Sequence, residues 1–223
     1  MFLCIPNVLD EEQLSVITSI LEETVFVDGQ ATAGRAGVEI KSNLQVPTEA
    51  AGYPKLNAIV SQAVRANSMF ALAAMPRRIR PIRFARYIPD MYYGRHIDNA
   101  VMGSSQPTRI DLAFTLFLTR PETYDGGELV VDEPGTRRKF KLDAGSLVLY
   151  SGNSLHGVAK VTRGYRDVAV GWLQSMVRDP KQRRVIFELE ELRANILAKS
   201  GRTQEFDVIS RNVADLWRMW VEV

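Results

Sequence analysis

Among the side chains of types that hold a divalent cation, three form a candidate set, and the spacing of two of them puts both on one side of an extended chain. His96 and Asp98 stand two positions apart in the stretch Tyr92-Tyr93-Gly94-Arg95-His96-Ile97-Asp98-Asn99. In a strand, residues i and i+2 point to the same face; on a helix the same spacing points them apart. A neutral imidazole beside a carboxylate supplies two of the three ligands of the 2-His-1-carboxylate set that holds non-haem Fe(II). The chain has two histidines, so His156 is the one candidate for the third ligand. It follows a turn and opens a strand, from which it can face the other two across a barrel. A fourth residue bears on the same chemistry. In Tyr165-Arg166-Asp167-Val168-Ala169-Val170-Gly171-Trp172, the side chains of Arg166, Val168, Val170 and Trp172 share one strand face, which is inward if the valines are core. An inward arginine among apolar neighbours is costly unless it meets an anion. Its planar fork suits a carboxylate.

The elements that must position these groups are mostly strands. Phe2–Ile5 reads as a short strand. Asp10, with Gln13 three residues on, forms a capping box for a helix over 11–23. Val25–Thr32 and Val38–Val46 read as extended, with a loop at 33–37. Pro54 opens a helix whose apolar positions run from Leu56 to Phe70, and Pro76 ends it. From Arg77 the period changes to two. Ile82, Phe84 and Ile88 lie on one face of a strand, with Arg83, Ala85 and Tyr87 on the other. Asp111–Thr119 is apolar on both faces and so buried. Glu128–Asp132 and Arg137–Leu142 flank a turn and read as a hairpin; Ser146–Tyr150, His156–Val161 and Tyr165–Gln174 are further strands. Seven or eight short strands from Ile79 to Gln174, separated by tight turns, favour a sandwich or barrel, jelly rolls included. Asp179-Pro180 and Thr203 then start two helices, with Gly201 between them. This hairpin is too small to stand alone, so its apolar faces must cover the barrel or a second subunit. The expected organisation is therefore mainly β with flanking helices: N-terminal strands and support helices over 1–76, a jelly-roll core over 77–176 and a C-terminal helical hairpin over 177–223.

Composition narrows the class. A chain of 223 residues with 46% hydrophobic and 24% charged residues is that of a globular protein with a sizeable core. The formal net charge of +2 gives no reason to expect nucleic acid or an acidic membrane as partner. A single cysteine, Cys4, rules out an intramolecular disulfide and a cysteine zinc site. The amino terminus lacks a basic region and a cleavage motif, and no run reaches the roughly 18 apolar residues of a membrane span. These features lead us to expect a cytoplasmic protein.

The site residues and their surroundings resemble the Fe(II)/2-oxoglutarate-dependent dioxygenases, and most of all the bacterial PKHD-type hydroxylases of the prolyl-hydroxylase branch. The pieces that carry the resemblance are Arg86-Tyr87-x-Pro89, Tyr93-Gly94-x-His96-x-Asp98-Asn99, Tyr124-Asp125-Gly126-Gly127-Glu128-Leu129, Gly145-Ser146-Leu147-Val148-Leu149-Tyr150, Leu155-His156-x-Val158, and Gly164-x-Arg166 with Trp172. They span about 79–174. The resemblance implies a double-stranded β-helix in which His96, Asp98 and His156 bind Fe(II). It implies that Arg166, with the Tyr87 hydroxyl as a second contact, pairs with the distal carboxylate of 2-oxoglutarate. It further implies that O2 is the oxidant, that 2-oxoglutarate is converted to succinate and CO2 as a C–H bond is hydroxylated, and that L-ascorbate keeps the iron reduced. The hydroxylated substrate, a prolyl or lysyl residue or a small molecule, is not legible.

Ser154 lacks the G-x-S-x-G context of a nucleophile elbow. Tyr93 reads as a pocket wall, Trp172 as packing beneath the site, and Asn99 as a turn residue or a support for Asp98. The basic runs Arg137-Arg138-Lys139-x-Lys141 and Arg77-Arg78-x-Arg80-x-x-Arg83 are by default solvated faces, with guidance of an anionic substrate as the alternative. A non-catalytic iron and 2-oxoglutarate sensor would keep the same ligands. A nucleic-acid demethylase of the same superfamily is disfavoured by the near-neutral charge.

Overall fold

The computed structural model describes residues 2–32, 38–133 and 135–222. Two facing antiparallel sheets form its centre. The larger runs in the order Leu3–Ile5, Leu147–Ser151, Leu112–Phe117, Arg166–Ser175, Arg83–Tyr87, Leu44–Gln45, Val27–Asp28, and Pro76–Ile79 also pairs with Arg166–Ser175. The smaller runs in the order Thr136–Phe140, Leu129–Glu133, His156–Val158, Tyr92–His96, Lys41–Ser42. Such a pair of facing antiparallel sheets is a jelly roll, one of the folds the strand pattern favours, and the double-stranded β-helix that the resemblance implies.

Alternation along the strands of the large sheet sends side chains to two different interiors. Leu112, Phe114, Leu116, Leu147, Leu149, Phe84 and Ala169 point outward. They meet helices α1 (Glu11–Glu23), α2 (Tyr53–Ala66) and α3 (Ser68–Ala74) through Leu14, Ile17, Leu21, Leu56, Val60, Val64 and Phe70. Each buried side chain of this kind contributes roughly 1.5–3 kcal/mol of transfer free energy. Ala85, Tyr87, Ala113, Phe117, Val148, Tyr150 and Val168 point inward, toward Leu129, Val131 and Phe140 of the small sheet.

The α1 boundary follows from its cap. Gln13 N–H donates to Asp10 Oδ1 at 2.8 Å, and Asp10 N–H donates to Gln13 Oε1 at 3.1 Å. The long helix expected from Pro54 to Pro76 is instead two helices. Asn67 leaves the helical conformation, and its side chain accepts from Phe70 N–H at 2.9 Å, capping α3. Asparagine competes with the helix for its own backbone and is stronger as a cap than in an interior.

The expected strand over Val38–Val46 is a 3-10 turn, Val38–Ile40, followed by two two-residue strands that belong to different sheets. The chain crosses between the sheets at Asn43, which breaks the single strand. Val27–Asp28 is the only extended pairing in the expected strand over Val25–Thr32; Gly29–Thr32 is a 3-10 turn. The loop at 33–37 and the turn residue Pro134 lie outside the described residues.

At the C-terminus, Asp179 caps α4 (Pro180–Ser200) and Thr203 caps α5 (Gln204–Trp220). Trp217 and Trp220 pack beside Met75, Val177 and Ile186, so part of the hairpin's apolar face is covered within the same chain. Arg109 adds an ionic tie, reaching Asp111 at 2.8 Å and Glu222 at 2.9 Å. No helix among the described residues is long and apolar enough to cross a membrane.

Candidate active site

His96 is the last residue of the strand Tyr92–His96, and His156 is the first of His156–Val158. The two strands are antiparallel neighbours with His96 opposite His156, and the imidazole centroids are 4.3 Å apart. Asp98 lies in the irregular segment just beyond the strand, so the extended geometry expected for the whole His-x-Asp stretch stops at His96. The carboxylate still turns back between the rings. Asp98 Oδ1 is 4.0 Å from His96 Nε2, and Asp98 Oδ2 is 3.8 Å from His156 Nε2. One ligating atom from each residue lies within 4.8 Å of the others. Gly157 permits this approach, since a Cβ there would stand 2.7 Å from the Tyr93 carbonyl oxygen on the neighbouring strand.

The ring nitrogens are assigned by their backbone partners. His96 Nδ1 lies 2.9 Å from the Gly94 carbonyl oxygen, and His156 Nδ1 lies 2.9 Å from that of Ser154. A carbonyl only accepts, so each Nδ1 carries the proton and each Nε2 lone pair faces the gap. Burial pushes the His96 pKa down to about 4, with His156 adding to the effect and the Gly94 carbonyl opposing it. Burial likewise lowers the His156 pKa. The Asp98 carboxyl is pushed up by burial, while the Trp172 indole and His96 pull it back. Although Trp172 faces the carboxylate, Asp98 Oδ2 makes no hydrogen bond of ordinary geometry. Two neutral imidazole lone pairs and a buried carboxylate oxygen without a partner fit a divalent cation. Its charge would offset the burial cost that otherwise drives all three groups toward neutrality.

Deeper in the same cavity, Arg166 is the largest fully buried side chain among the described residues, 1% exposed. Among the described residues none of its three guanidinium nitrogens makes a hydrogen bond of ordinary geometry, although the Tyr124 hydroxyl lies close by. The rings of Tyr87 and Phe117 flank it, with centroids 5.2 and 5.4 Å from Cζ. Tyr87 is held there by the register, since it sits opposite Arg166 across the sheet. Gly127 clears space for the arginine stem: its φ is +67°, and a Cβ would stand 2.9 Å from Arg166 Cδ. A buried guanidinium with no ion-pair partner among the described residues is an unfavourable arrangement unless a ligand brings the anion. The geometry fits a carboxylate guest.

Two residues near the centre carry more than the sequence suggests. Tyr124 is fully buried; burial pushes its pKa up, and the nearby Arg166 guanidinium opposes this, although among the described residues the hydroxyl makes no hydrogen bond of ordinary geometry. The sequence signal was its place before Asp125-Gly126-Gly127, which carried no role. Trp172 lines the cavity and faces Asp98, where packing beneath the site was expected. Tyr93 stacks on His96 at 3.7 Å between centroids, as a wall should. Asn99 is exposed at the mouth. The whole cavity measures about 1150 Å³.

The 2OG-Fe(II) oxygenase superfamily model matches residues 82–174, the segment that contains every residue of this centre. Over 222 residues the chain is 44% identical to a PKHD-type hydroxylase of Crocosphaera subtropica, with 100% of each chain covered. The chain belongs to the PKHD-type hydroxylases of the 2OG-Fe(II) oxygenase superfamily. It is accordingly an oxygenase that depends on iron and 2-oxoglutarate. A PKHD-type hydroxylase of Synechococcus elongatus is 42% identical over 223 residues, again covering 100% of both chains. Among solved structures, a Pseudomonas putida prolyl-4-hydroxylase shares the fold with a TM-score of 0.55, 19% identity and coverage of 78% of this chain and 92% of its own. A 2OG-Fe(II) oxygenase-family oxidoreductase from Burkholderia pseudomallei gives a TM-score of 0.58 at 19% identity, covering 77% and 84%. These structural likenesses speak to the jelly-roll fold.

Proposed function

We propose that His96, Asp98 and His156 hold Fe(II), and that Arg166, flanked by Tyr87, receives the distal carboxylate of 2-oxoglutarate. On this reading the chain hydroxylates a C–H bond of a substrate that enters through the cavity mouth. The observation that carries the reading is the pairing, in one cavity, of the cation-ready triad with a buried arginine that has no carboxylate of its own. When bound, iron with 2-oxoglutarate and O2 supplies an oxidant able to replace C–H by C–OH, releasing succinate and CO2. The protein's part is positional. The Gly94 and Ser154 carbonyls fix both imidazoles, and Trp172 faces the carboxylate of Asp98. Tyr87 and Phe117 exclude water around Arg166, which strengthens its pairing with an incoming anion. L-ascorbate as the reductant and a cytoplasmic location complete the proposal; the single, exposed Cys4 supports a reducing compartment.

Anaerobic addition of Fe(II) and then 2-oxoglutarate should produce the weak visible charge-transfer band of an iron-chelated keto acid. Metal-loaded protein that gives no band on 2-oxoglutarate addition would remove the co-substrate assignment. Asp98→Ala should lower Fe(II) affinity by more than the roughly 10–100-fold that follows loss of a group behind a ligand.

A further inference from the structure

The basic cluster Arg77-Arg78-x-Arg80-x-x-Arg83 does not stay together in the fold. Arg77 and Arg78 are exposed on the strand Pro76–Ile79, as solvated charges should be. Arg83 turns inward and lines the same cavity as the triad. It shares the inner strand face with Ala85 and Tyr87, and it lies opposite Val170 where Tyr87 lies opposite Arg166. Arg83 and Arg166 therefore sit at two ends of one surface, four residues apart along the strands, or roughly 13 Å.

The surroundings of Arg83 are those of a site for an anion. Its side chain is largely buried, and burial lowers the guanidinium pKa. Among the described residues its one hydrogen bond is to a neutral group, Gln45 Oε1, at 3.0 Å, and it forms no ion pair. Its Cζ stands 5.9 Å from the Trp172 ring centroid. The same Trp172 faces Asp98, so one aromatic plate connects this arginine to the metal-ligand cluster. Lys41, on the Tyr93 ring at 5.3 Å, and Arg80 also line the cavity. The co-substrate has one distal carboxylate, and Arg166 already answers it. The second inward arginine is left for a different guest.

Resting on the iron and co-substrate reading above, we propose that the substrate oxidised here carries an oxyanion, a carboxylate or a phosphate, and that Arg83 receives it. The guanidinium fork anchors one end of the substrate by Trp172 and so holds its reactive carbon over the metal. Arg83 is on this account a specificity-determining residue, and the enzyme selects acidic substrates or acidic groups at a substrate's end.

The test uses the full-length protein loaded with Mn(II), whose unpaired electrons relax nearby protons, and with N-oxalylglycine filling the co-substrate position. Three probes are compared at equal concentration: N-acetylglycine, its neutral amide N-acetylglycinamide, and methyl phosphate. The metal-induced relaxation of the methyl protons should be at least about tenfold greater for one or both anions than for the amide, the size expected of a charge-assisted hydrogen-bonded pair. The anion that relaxes faster names the substrate's group. Arg83→Gln should abolish the preference, with N-oxalylglycine affinity by calorimetry unchanged, and Arg83→Lys should restore part of it. Equal relaxation of anions and amide, or a preference that survives Arg83→Gln, overturns the proposal. Failure of Mn(II) and N-oxalylglycine to bind at all overturns the metal and co-substrate reading first, and this proposal with it.

Discussion

Arg86 and Arg166 lie on neighbouring strands, one register step apart, and face opposite sides of the same sheet. Arg86 points outward. It grips Asp167 with two hydrogen bonds, Nε to Oδ1 at 2.8 Å and Nη2 to Oδ2 at 2.7 Å, and lies against the rings of Phe26 and Tyr165. Arg166 points inward, lies against the rings of Tyr87 and Phe117, and forms no ion pair among the described residues. The same residue type is thus completed by the protein on one face and left incomplete on the other. Burial pushes the Asp167 carboxyl up even beside Arg86, while the carboxylate holds the guanidinium above its usual range. Desolvation of the two charges thus offsets much of their attraction. The outward arginine is completed within the fold, and the inward one is on our proposal left for a ligand.

Substitutions on the two faces should separate these roles. Arg86→Met leaves the Asp167 carboxylate buried without its partner and should cost about 3–5 kcal/mol, read by urea denaturation of the metal-free protein. Arg166→Met should leave that stability unchanged or raised, while lowering N-oxalylglycine affinity about 10–100-fold with Fe(II) affinity intact. Equal destabilisation by both variants would erase the contrast.

Phe114 lies on the outward face, fully buried and edge-on to Phe70 at 5.6 Å. Phe114→Ala should also cost about 3–5 kcal/mol, and the folded fraction should bind Fe(II) and N-oxalylglycine normally. A loss of affinity there would mean that the two faces are coupled through the sheet.

Gly127→Ala is the smallest change. The backbone at φ +67° and the 2.9 Å approach to Arg166 Cδ should cost about 1–3 kcal/mol. Because the strain falls on the arginine stem, N-oxalylglycine should weaken while metal affinity holds. Unaltered co-substrate affinity would show that Arg166 tolerates displacement.

Much of this division was legible in the residues. Period-two alternation identified which residues of the strand 83–87 share a face and turned Arg166 inward with the valines of its strand, and Asp10 with Gln13 fixed the start of α1. What failed was local competition. Asn67 stopped a helix that hydrophobic spacing alone would have continued. The chain at Asn43 changed sheets, which no periodicity over nine residues reports. The basic cluster at 77–83 read as one solvated face because a run of like charges looks the same whether its members share a surface or are divided between surface and cavity.

The sequence by itself narrowed the candidate donor set to His96, Asp98 and His156. With two histidines in the chain and a carboxylate two residues from one of them, few alternatives remained. It also determined the strand alternation that turns Arg166 inward. The tertiary structure alone decided what each of these groups meets. The pairing of His96 opposite His156, the turn of Asp98 between them, the aromatic rings flanking Arg166 and the inward placement of Arg83 all depend on contacts between residues far apart in the chain. Spacing along one strand sets a side chain's direction. Only the folding of two sheets over each other sets what lies in that direction.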